Sequence, residues 1–413
     1  MKRAIVLSGG GAKGAYQIGF WKAIRKLGIN YDIVTGTSIG ALNGVFLVQG
    51  NYGDAIKLWN SINYEKVIND SMKGSSYYTI DGKKKLVLSY AKAASKGGFD
   101  VEGLKKIIDS NLKVNKFYNS NVDYGLVTVK FPSLKPVMLT KKEIEPKLLS
   151  DYLLASASCF PAFKMKEINE EKYIDGGYYD NMPINLAIEM GAEEIIAVDL
   201  RAPGKKRLFN AFEKSISKNI PVKIITSKSN MGNFLVMEKK QAKRLMKIGY
   251  NDTMKAFNKL EGDSYTFKKD TFKRNYKKTK ELFYYNLDIY FEEKNNYLYK
   301  RLNGINKHKY FDSIIENLMK AFSFDDTKIY NGTYINNDIK KAYKKNKQLT
   351  FNNIKNYIKN NKLNKSFIDK ELICFLYKEI CKKSKLNKKV MTLAMLFPES
   401  FLCAIYLKTI IDK

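Results

Sequence analysis

The chain has 413 residues, 45% of them hydrophobic and 13% aromatic, with a formal net charge of +32. That apolar content excludes a disordered chain, and the length exceeds one ordinary core, so two domains, or one large domain with an extension, are expected. His308 is the only histidine, and Cys159, Cys374, Cys381 and Cys403 show no CxxC spacing. This excludes a Cys/His zinc site and suggests scattered buried thiols in a reducing compartment.

In chain order, the apolar run after Lys2-Arg3 covers only residues 4–7. It is too short for a signal-peptide core and reads as a first strand, so a cytoplasmic chain is expected. Gly9-Gly10-Gly11-Ala12-Lys13-Gly14 is a glycine-rich turn. Ile18, Trp21, Ile24 and Leu27 then recur at helical spacing. Ile33-Val34-Thr35 is a second strand running into Gly36, and residues 39–47 form a buried helix. This strand–turn–helix alternation predicts an α/β sheet with parallel strands. Residues 71–98, rich in Gly, Ser, Lys and Tyr, either cover a site or form a surface insertion. A helix over 104–112, a strand over 124–129 and a helix over 148–156 follow, the last leading into Ala157-Ser158-Cys159-Phe160-Pro161. Tyr173-Ile174 is a strand ending in Asp175-Gly176-Gly177. A helix over 186–190 precedes the most apolar strand of the chain, around Ile195-Ile196-Ala197-Val198. Beyond about residue 260 lysine, asparagine and tyrosine dominate, and 262–413 reads as a mostly helical, Lys-rich extension to a domain spanning 1–261. Phe367, Ile368, Leu372, Phe375, Leu376 and Ile380 share one helical face there. Residues 390–411 are apolar but interrupted at Pro398, which predicts two short buried helices rather than a membrane span.

Three motifs carry chemistry. Gly36-Thr37-Ser38-Ile39-Gly40, between a strand and a helix, is a G-x-S-x-G nucleophile elbow in its required context. The sharp turn needs small neighbours and places the serine at a helix N-terminus, where developing negative charge is favoured. The loop of residues 9–14 turns backbone N–H groups into one concavity that suits a phosphate or the oxyanion of acyl transfer. Its G-x-G-x-x-G spacing also raises a dinucleotide site, but no acidic residue ends the second strand. A P-loop is excluded because Ala15-Tyr16 follows Gly14. Lys13 is expected at the surface or in a salt bridge. Asp175, beside two glycines at a strand end, is placed to accept a proton. His308 sits in the Lys-rich tail with no catalytic turn near it, so a carboxylate, Asp175, is the expected partner of Ser38.

Taken together and in this order, the Gly9–14 loop, the Gly36–Gly40 elbow, Ala155-Ser156-Ala157-Ser158 leading to Pro161, and the Asp175-Gly176-Gly177 turn resemble the patatin-like phospholipase family. The likeness is specific over residues 1–205 and weaker to about 260, where Met246-Lys247-Ile248-Gly249-Tyr250 is similar to a late family helix. The resemblance implies a three-layer α/β fold with a mostly parallel central sheet. It implies Ser38 as nucleophile, Asp175 as base, the amides of Gly9, Gly10, Gly11, Ala12, Lys13 and Gly14 as an oxyanion hole, and support from Gly36, Gly40, Pro161, Gly176 and Gly177. It also implies an acyl-serine intermediate, no metal or cofactor, and membrane glycerolipids or other acyl-ester lipids as substrates. An acyltransferase and a non-catalytic lipid-binding protein remain alternatives.

The charge is uneven. Residues 1–200 hold 26 Lys/Arg against 21 Asp/Glu, and residues 201–413 hold 47 against 20. A basic half suits an anionic membrane surface or simply a solvated face; nucleic acid is the less expected partner because no binding motif accompanies the charge.

Overall fold

In the computed structural model, which describes residues 1–68, 88–89, 91–290, 307–332, 334–346, 368–382, 386 and 388–412, the chain divides into two compact units, Met1–Ala256 and Phe257–Lys413. Residues 71–87 of the Gly/Ser/Lys/Tyr-rich segment, and Phe367, lie outside the described residues.

The first unit is built on an eight-stranded sheet. Its strands are β1 (Arg3–Leu7), β2 (Ile33–Thr37), β3 (Asp123–Phe131), β4 (Pro136–Thr140), β5 (Lys166–Ile168), β6 (Glu171–Asp175), β7 (Glu194–Asp199) and β8 (Val222–Thr226). The order is β5-β6-β3-β2-β1-β7-β8, with β4 also paired to β3. The five strands β3, β2, β1, β7 and β8 are mutually parallel, whereas β4 and β6 run antiparallel to β3 and β5 antiparallel to β6. The central strands are apolar on both sides because both sides are covered. Ala4, Val6, Ile195 and Ala197 pack under helices Ile184–Glu189 and Leu208–Ser217 through Ile184, Ile188 and Ala211. Helix α2 (Ile39–Gln49) lies on the opposite face, where Gly44 admits the Val34 and Tyr124 side chains. Helix α1 (Ala15–Lys26) packs against Lys239–Ala256. A Cβ on Gly19 would fall 1.9 Å from the Met246 carbonyl oxygen, and one on Gly249 2.0 Å from that of Tyr16. The result is a three-layer arrangement, helices on each face of a mixed sheet with a parallel centre.

One detail of register positions the site. Strand β2 arrives parallel to β3 and ends with Thr37 opposite Val127. Strand β6 arrives from the other direction and ends with Asp175 opposite Thr128, the next residue of β3. Since β4 occupies the other edge of β3 over the same residues, β2 and β6 lie on one edge and meet end to end. Ser38, next after the last pair of β2, and Asp175, in the last pair of β6, are brought together for that reason.

The second unit is mainly helical: Thr271–Asp288, Lys307–Ala321, Ile335–Asn346, Lys370–Lys382, Lys388–Leu396 and Pro398–Ile411. A small sheet, not anticipated from the sequence, joins β9 (Leu260–Glu261), β10 (Thr266–Lys268) and β11 (Ile329–Tyr330). Helix Pro398–Ile411 is buried almost all round, as an apolar helix at the centre of a core must be. Among the described residues no single helix is long and apolar enough to cross a membrane; Val390–Leu396 and Pro398–Ile411 reach that composition only as a pair bent by 114°. Of the four free thiols, Cys374 and Cys403 are buried, Cys159 is half-buried and Cys381 is exposed, so the expectation of buried thiols fails at Cys381.

Candidate active site

Ser38 stands between the last residue of β2 and the first of α2 with φ 56° and ψ −128°. A non-glycine residue there is strained, and the surroundings must hold it. Part of the restraint is steric closeness. A Cβ on Gly36 would lie 2.5 Å from the Gly40 carbonyl carbon, and one on Gly40 2.1 Å from the Leu7 carbonyl oxygen, so neither position admits a side chain. The rest is a hydrogen bond. The Ser38 N–H donates to Ser156 Oγ at 3.0 Å, and the Ser156 hydroxyl donates to the Val127 carbonyl at 2.7 Å. Ser156 therefore ties the serine's turn to β3. The sequence marked it only as one of several small residues before Pro161.

Asp175 closes β6 and is only 6% exposed. Its N–H donates to the Ser158 carbonyl at 2.9 Å, and its Oδ1 accepts from the Gly177 N–H at 2.7 Å. A Cβ on Gly176 would stand 2.1 Å from the Val127 oxygen, so that turn also lies hard against β3. The Ser38 side chain lies beside the Asp175 carboxylate, close enough to act on its ionisation. Burial pushes the Asp175 carboxyl up to about 6, and Ser38 and the bond from Gly177 limit the rise.

The glycine loop supplies fewer free donors than its sequence suggests. The Gly9 N–H goes to the Asn181 carbonyl (3.0 Å), that of Ala12 to Phe234 (2.7 Å) and that of Lys13 to Gly10 (3.0 Å). Gly14 closes the 3₁₀ turn Gly11–Gly14 and leads directly into α1. Among the described residues the amides of Gly10 and Gly11 have no partner, and both residues line the cavity beside Ser38. The six expected oxyanion donors thus reduce to these two candidates, because the turn itself takes the Lys13 amide and distant carbonyls take those of Gly9 and Ala12. Lys13 is neither superficial nor salt-bridged. It is 8% exposed, its Nζ donates to the Arg201 carbonyl at 3.1 Å, and burial, then the Arg201 charge, lower its pKa. The loop is braced from below by a buried chain: Gln17 donates to the Ser8 carbonyl, Asn43 to Gln17 and to the Gly14 carbonyl, and Trp59 to Asn43.

Asn181 and Asp180 also escaped the sequence reading. The Asn181 carboxamide sits where a Gly9 Cβ would be, 2.2 Å from it, next to the Ser38 Cβ. Buried Asp180 holds the chain beyond Asp175 by accepting from the Met182 N–H, and its carbonyl accepts from Thr37. Burial raises its carboxyl to about 6. Short polar residues in a turn carry no signal of such roles by themselves. Pro161 follows a cis peptide bond. His308 lies on helix Lys307–Ala321 of the second unit. No group of three or more metal-ligating side chains occurs among the described residues.

Ser38 and Asp175 open onto a cavity of about 420 Å³ whose walls are largely apolar: Ile39, Leu42, Val67, Ile68, Leu104, Phe163, Phe234, Leu235 and Met237. A smaller pocket of about 40 Å³ shares Ile39, Leu42 and Leu104 and continues between Val45, Phe46, Trp59, Ile108 and Leu153.

Fold and site define an α/β protein in which the serine of a strand–turn–helix elbow stands beside a carboxylate at a neighbouring strand end. Residues 5–188 match the model of the patatin-like phospholipase family, and the first unit carries a patatin-like phospholipase domain. The chain is 27% identical over 211 residues to patatin-like phospholipase domain-containing protein 7 of Rattus norvegicus, a stretch of 50% of this chain and 14% of that protein. It is 26% identical over 200 residues to lysophospholipase NTE1 of Chaetomium globosum, 48% of this chain and 12% of that one. The chain thus spans a small part of the length of these curated relatives. Among solved structures, VipD from Legionella pneumophila aligns over 99% of this chain and 90% of its own, at 13% identity and a TM-score of 0.39.

Proposed function

We propose that the first unit is a lipid acyl hydrolase working through a Ser38–Asp175 dyad. The observation that carries this reading is a strained elbow serine set beside a buried carboxylate at the head of an apolar cavity. Ser38 Oγ attacks the ester carbonyl as its proton passes to Asp175. The oxyanion forms against the Gly10 and Gly11 amides, whose donors are already aimed and need no reorganisation. The ester C–O bond breaks, the alcohol leaves with the proton held by Asp175, and acyl-Ser38 remains. Water then gives a proton to Asp175 and attacks the acyl carbon, the C–O bond to Ser38 breaks as Asp175 returns that proton to Ser38 Oγ, and the fatty acid leaves. A carboxylate with a pKa of about 6 suits this cycle, since it is ionised at neutral pH yet is a better base than an ordinary aspartate.

The apolar walls suit a long acyl chain, and the narrow continuation past Leu42 and Leu104 gives that chain a direction. Membrane glycerolipids are the proposed source of such chains. The test is fatty-acid release from phospholipid vesicles by the full chain and by its Ser38→Ala and Asp175→Asn forms. Release should vanish with Ser38→Ala and fall steeply with Asp175→Asn, while His308→Ala stays active. Full activity in either dyad variant overturns the reading. Leu104→Trp should narrow the accepted acyl length without affecting a short ester, and an unchanged length profile rejects the assigned acyl direction.

A further inference from the structure

Helix Leu208–Ser217 follows β7 and its connecting loop. Its inner side, through Leu208, Ala211 and Ser215, packs on the sheet. Its outer side would ordinarily be polar. Instead Phe209 is 75% exposed, Phe212 37% and Ile216 77%. Their spacing, i, i+3 and i+7, puts them on one face. Few other large apolar side chains of this unit are as open, so a single helix concentrates the exposed greasy surface.

The charge around that face is one-sided. From Arg201 to Met237 the chain has eight Lys/Arg residues and a single acidic one, Glu213, which lies on the outer side of the helix beside Phe209. Some of these cations have partners: Lys206 pairs with Asp199, Lys214 with Glu189, and Arg207 stacks over the Tyr179 ring. The segment alone carries a net +7, and +5 once Asp199 and Glu189 are counted with it. Residues 201–256 hold 14 Lys/Arg against three Asp/Glu, a denser excess than the 33 against 17 of residues 257–413. The strongest positive density therefore belongs to the first unit.

The chain that leads into this helix reaches the cavity. Ala202, Pro203, Gly204 and Lys205 line the cavity just before the helix begins. The Lys205 N–H donates to the Gly177 carbonyl at 2.9 Å, and its carbonyl accepts from the Asn181 N–H at 2.6 Å. Tyr178, 42% exposed, lies on the same rim. The helix is thus tied by two backbone bonds to the turn that carries Asp175.

We propose that helix Leu208–Ser217 is the docking face of the first unit for an anionic phospholipid surface: Phe209, Phe212 and Ile216 enter the headgroup boundary while the surrounding lysines and arginines meet lipid phosphates, so that the cavity mouth faces the bilayer. This rests on the lipid-hydrolase reading, and it locates the lipid contact in the first unit rather than in the Lys-rich second one. A second copy of the chain is a poor occupant, because a symmetric pairing would bring two patches of the same sign face to face. Ten helical residues, about 15 Å long, are also too small for a stable protein interface, which needs about 800 Å² per partner. A lipid surface needs only a few inserted apolar groups and attracted cations.

The test measures sedimentation of full-length Ser38→Ala protein, which leaves the lipid intact, with vesicles of phosphatidylcholine alone and of phosphatidylcholine mixed with phosphatidylserine. The protein should bind the mixed vesicles more tightly and lose that preference at high salt. Adding Phe209→Ser and Ile216→Ser should weaken binding at least about tenfold, since two buried apolar groups are removed. Leu134→Ser, at another exposed apolar position (57%), should bind like its parent. With Ser38 intact, the double variant should keep its circular dichroism and its rate on a soluble short-chain ester. Unchanged binding by the double variant, equal loss in Leu134→Ser, or no binding by the parent overturns the proposal. So does self-association in lipid-free solution that the double variant abolishes. Failure of the unmodified protein on the soluble ester would instead overturn the hydrolase reading and leave the binding result to stand.

Discussion

Of the 26 glycines, 23 lie in the first unit and three in the second. The difference is one of building method. In the first unit, backbone must pass within van der Waals distance of backbone around Ser38 and Asp175, so Gly36, Gly40 and Gly176 stand where any side chain would collide. The second unit fills its interior instead. Phe283, Phe311, Phe397, Phe401 and Tyr406 are almost wholly buried, with Phe311 edge-on to Phe283 at 5.2 Å and to Tyr406 at 5.4 Å. One interior holds a strained serine beside a buried carboxylate; the other also buries Glu399 but is filled chiefly by aromatic volume. Strain and buried charge cost stability, whereas packed aromatic volume supplies it.

The contrast can be broken most sharply at Ser38. Ser38→Ala should lower ester hydrolysis by at least about a thousandfold, as loss of a nucleophile does elsewhere, and should leave the melting temperature unchanged or higher. A large drop in melting temperature would mean that the elbow serves the fold as much as the chemistry. Phe311→Ala should do the opposite, removing about 3–5 kcal/mol by opening a cavity in an aromatic core, read by denaturant unfolding; a loss below about 1 kcal/mol would show that the second interior is loosely packed.

A third expectation concerns sign. The Asp175 carboxyl sits at about 6 in the folded chain against an ordinary 3.8. The folded state therefore holds its proton more tightly, and stability from this group is present below about pH 4 and lost as pH rises through about 6. At pH 8 the buried charge costs about 3 kcal/mol, so Asp175→Asn should stabilise by up to that amount there and by nothing near pH 4. Activity should run the other way, falling below about pH 6 as the base is protonated. Destabilisation by Asp175→Asn at pH 8 would remove the idea that the site stores cost. The smallest effect is expected in the second unit. Tyr406 donates to Asn336 at 2.9 Å and accepts from Asn275, and Asn336 donates back to Asn275 at 2.8 Å. Tyr406→Phe opens this buried ring and should cost about 1–2 kcal/mol in unfolding free energy, whereas a neutral outcome would mean that water replaces the hydroxyl.

The parallel centre of the sheet was legible because its strands are short apolar runs punctuated by glycine, and the helices between them show their own period. Local pattern also isolated the Ser38 turn and the Asp175 turn. It did not show that β6 runs antiparallel, because pairing direction is a property of two distant segments and leaves no period in either. Ser156 and Asn181 were missed for a related reason. Each acts through hydrogen bonds to residues far along the chain, and nothing in its neighbours announces those bonds. The glycine loop was over-read. Its amides look alike in sequence, but those of Gly9, Ala12 and Lys13 are taken by Asn181, Phe234 and Gly10, and among the described residues those of Gly10 and Gly11 have no partner. The Lys-rich tail drew attention by its length, although the denser positive charge lies in residues 201–256.

The end-to-end meeting of β2 and β6 on one edge of β3 also decides which insertions this domain can survive. A residue added to the connection between Pro161 and β5 lengthens a loop and leaves Asp175 opposite Thr128. A residue added inside β6 shifts every later side chain to the other face of the sheet and turns the carboxylate away from Ser38. Length variation in descendants of this chain should therefore collect in the loops on either side of these two strands, while the strands themselves keep their lengths.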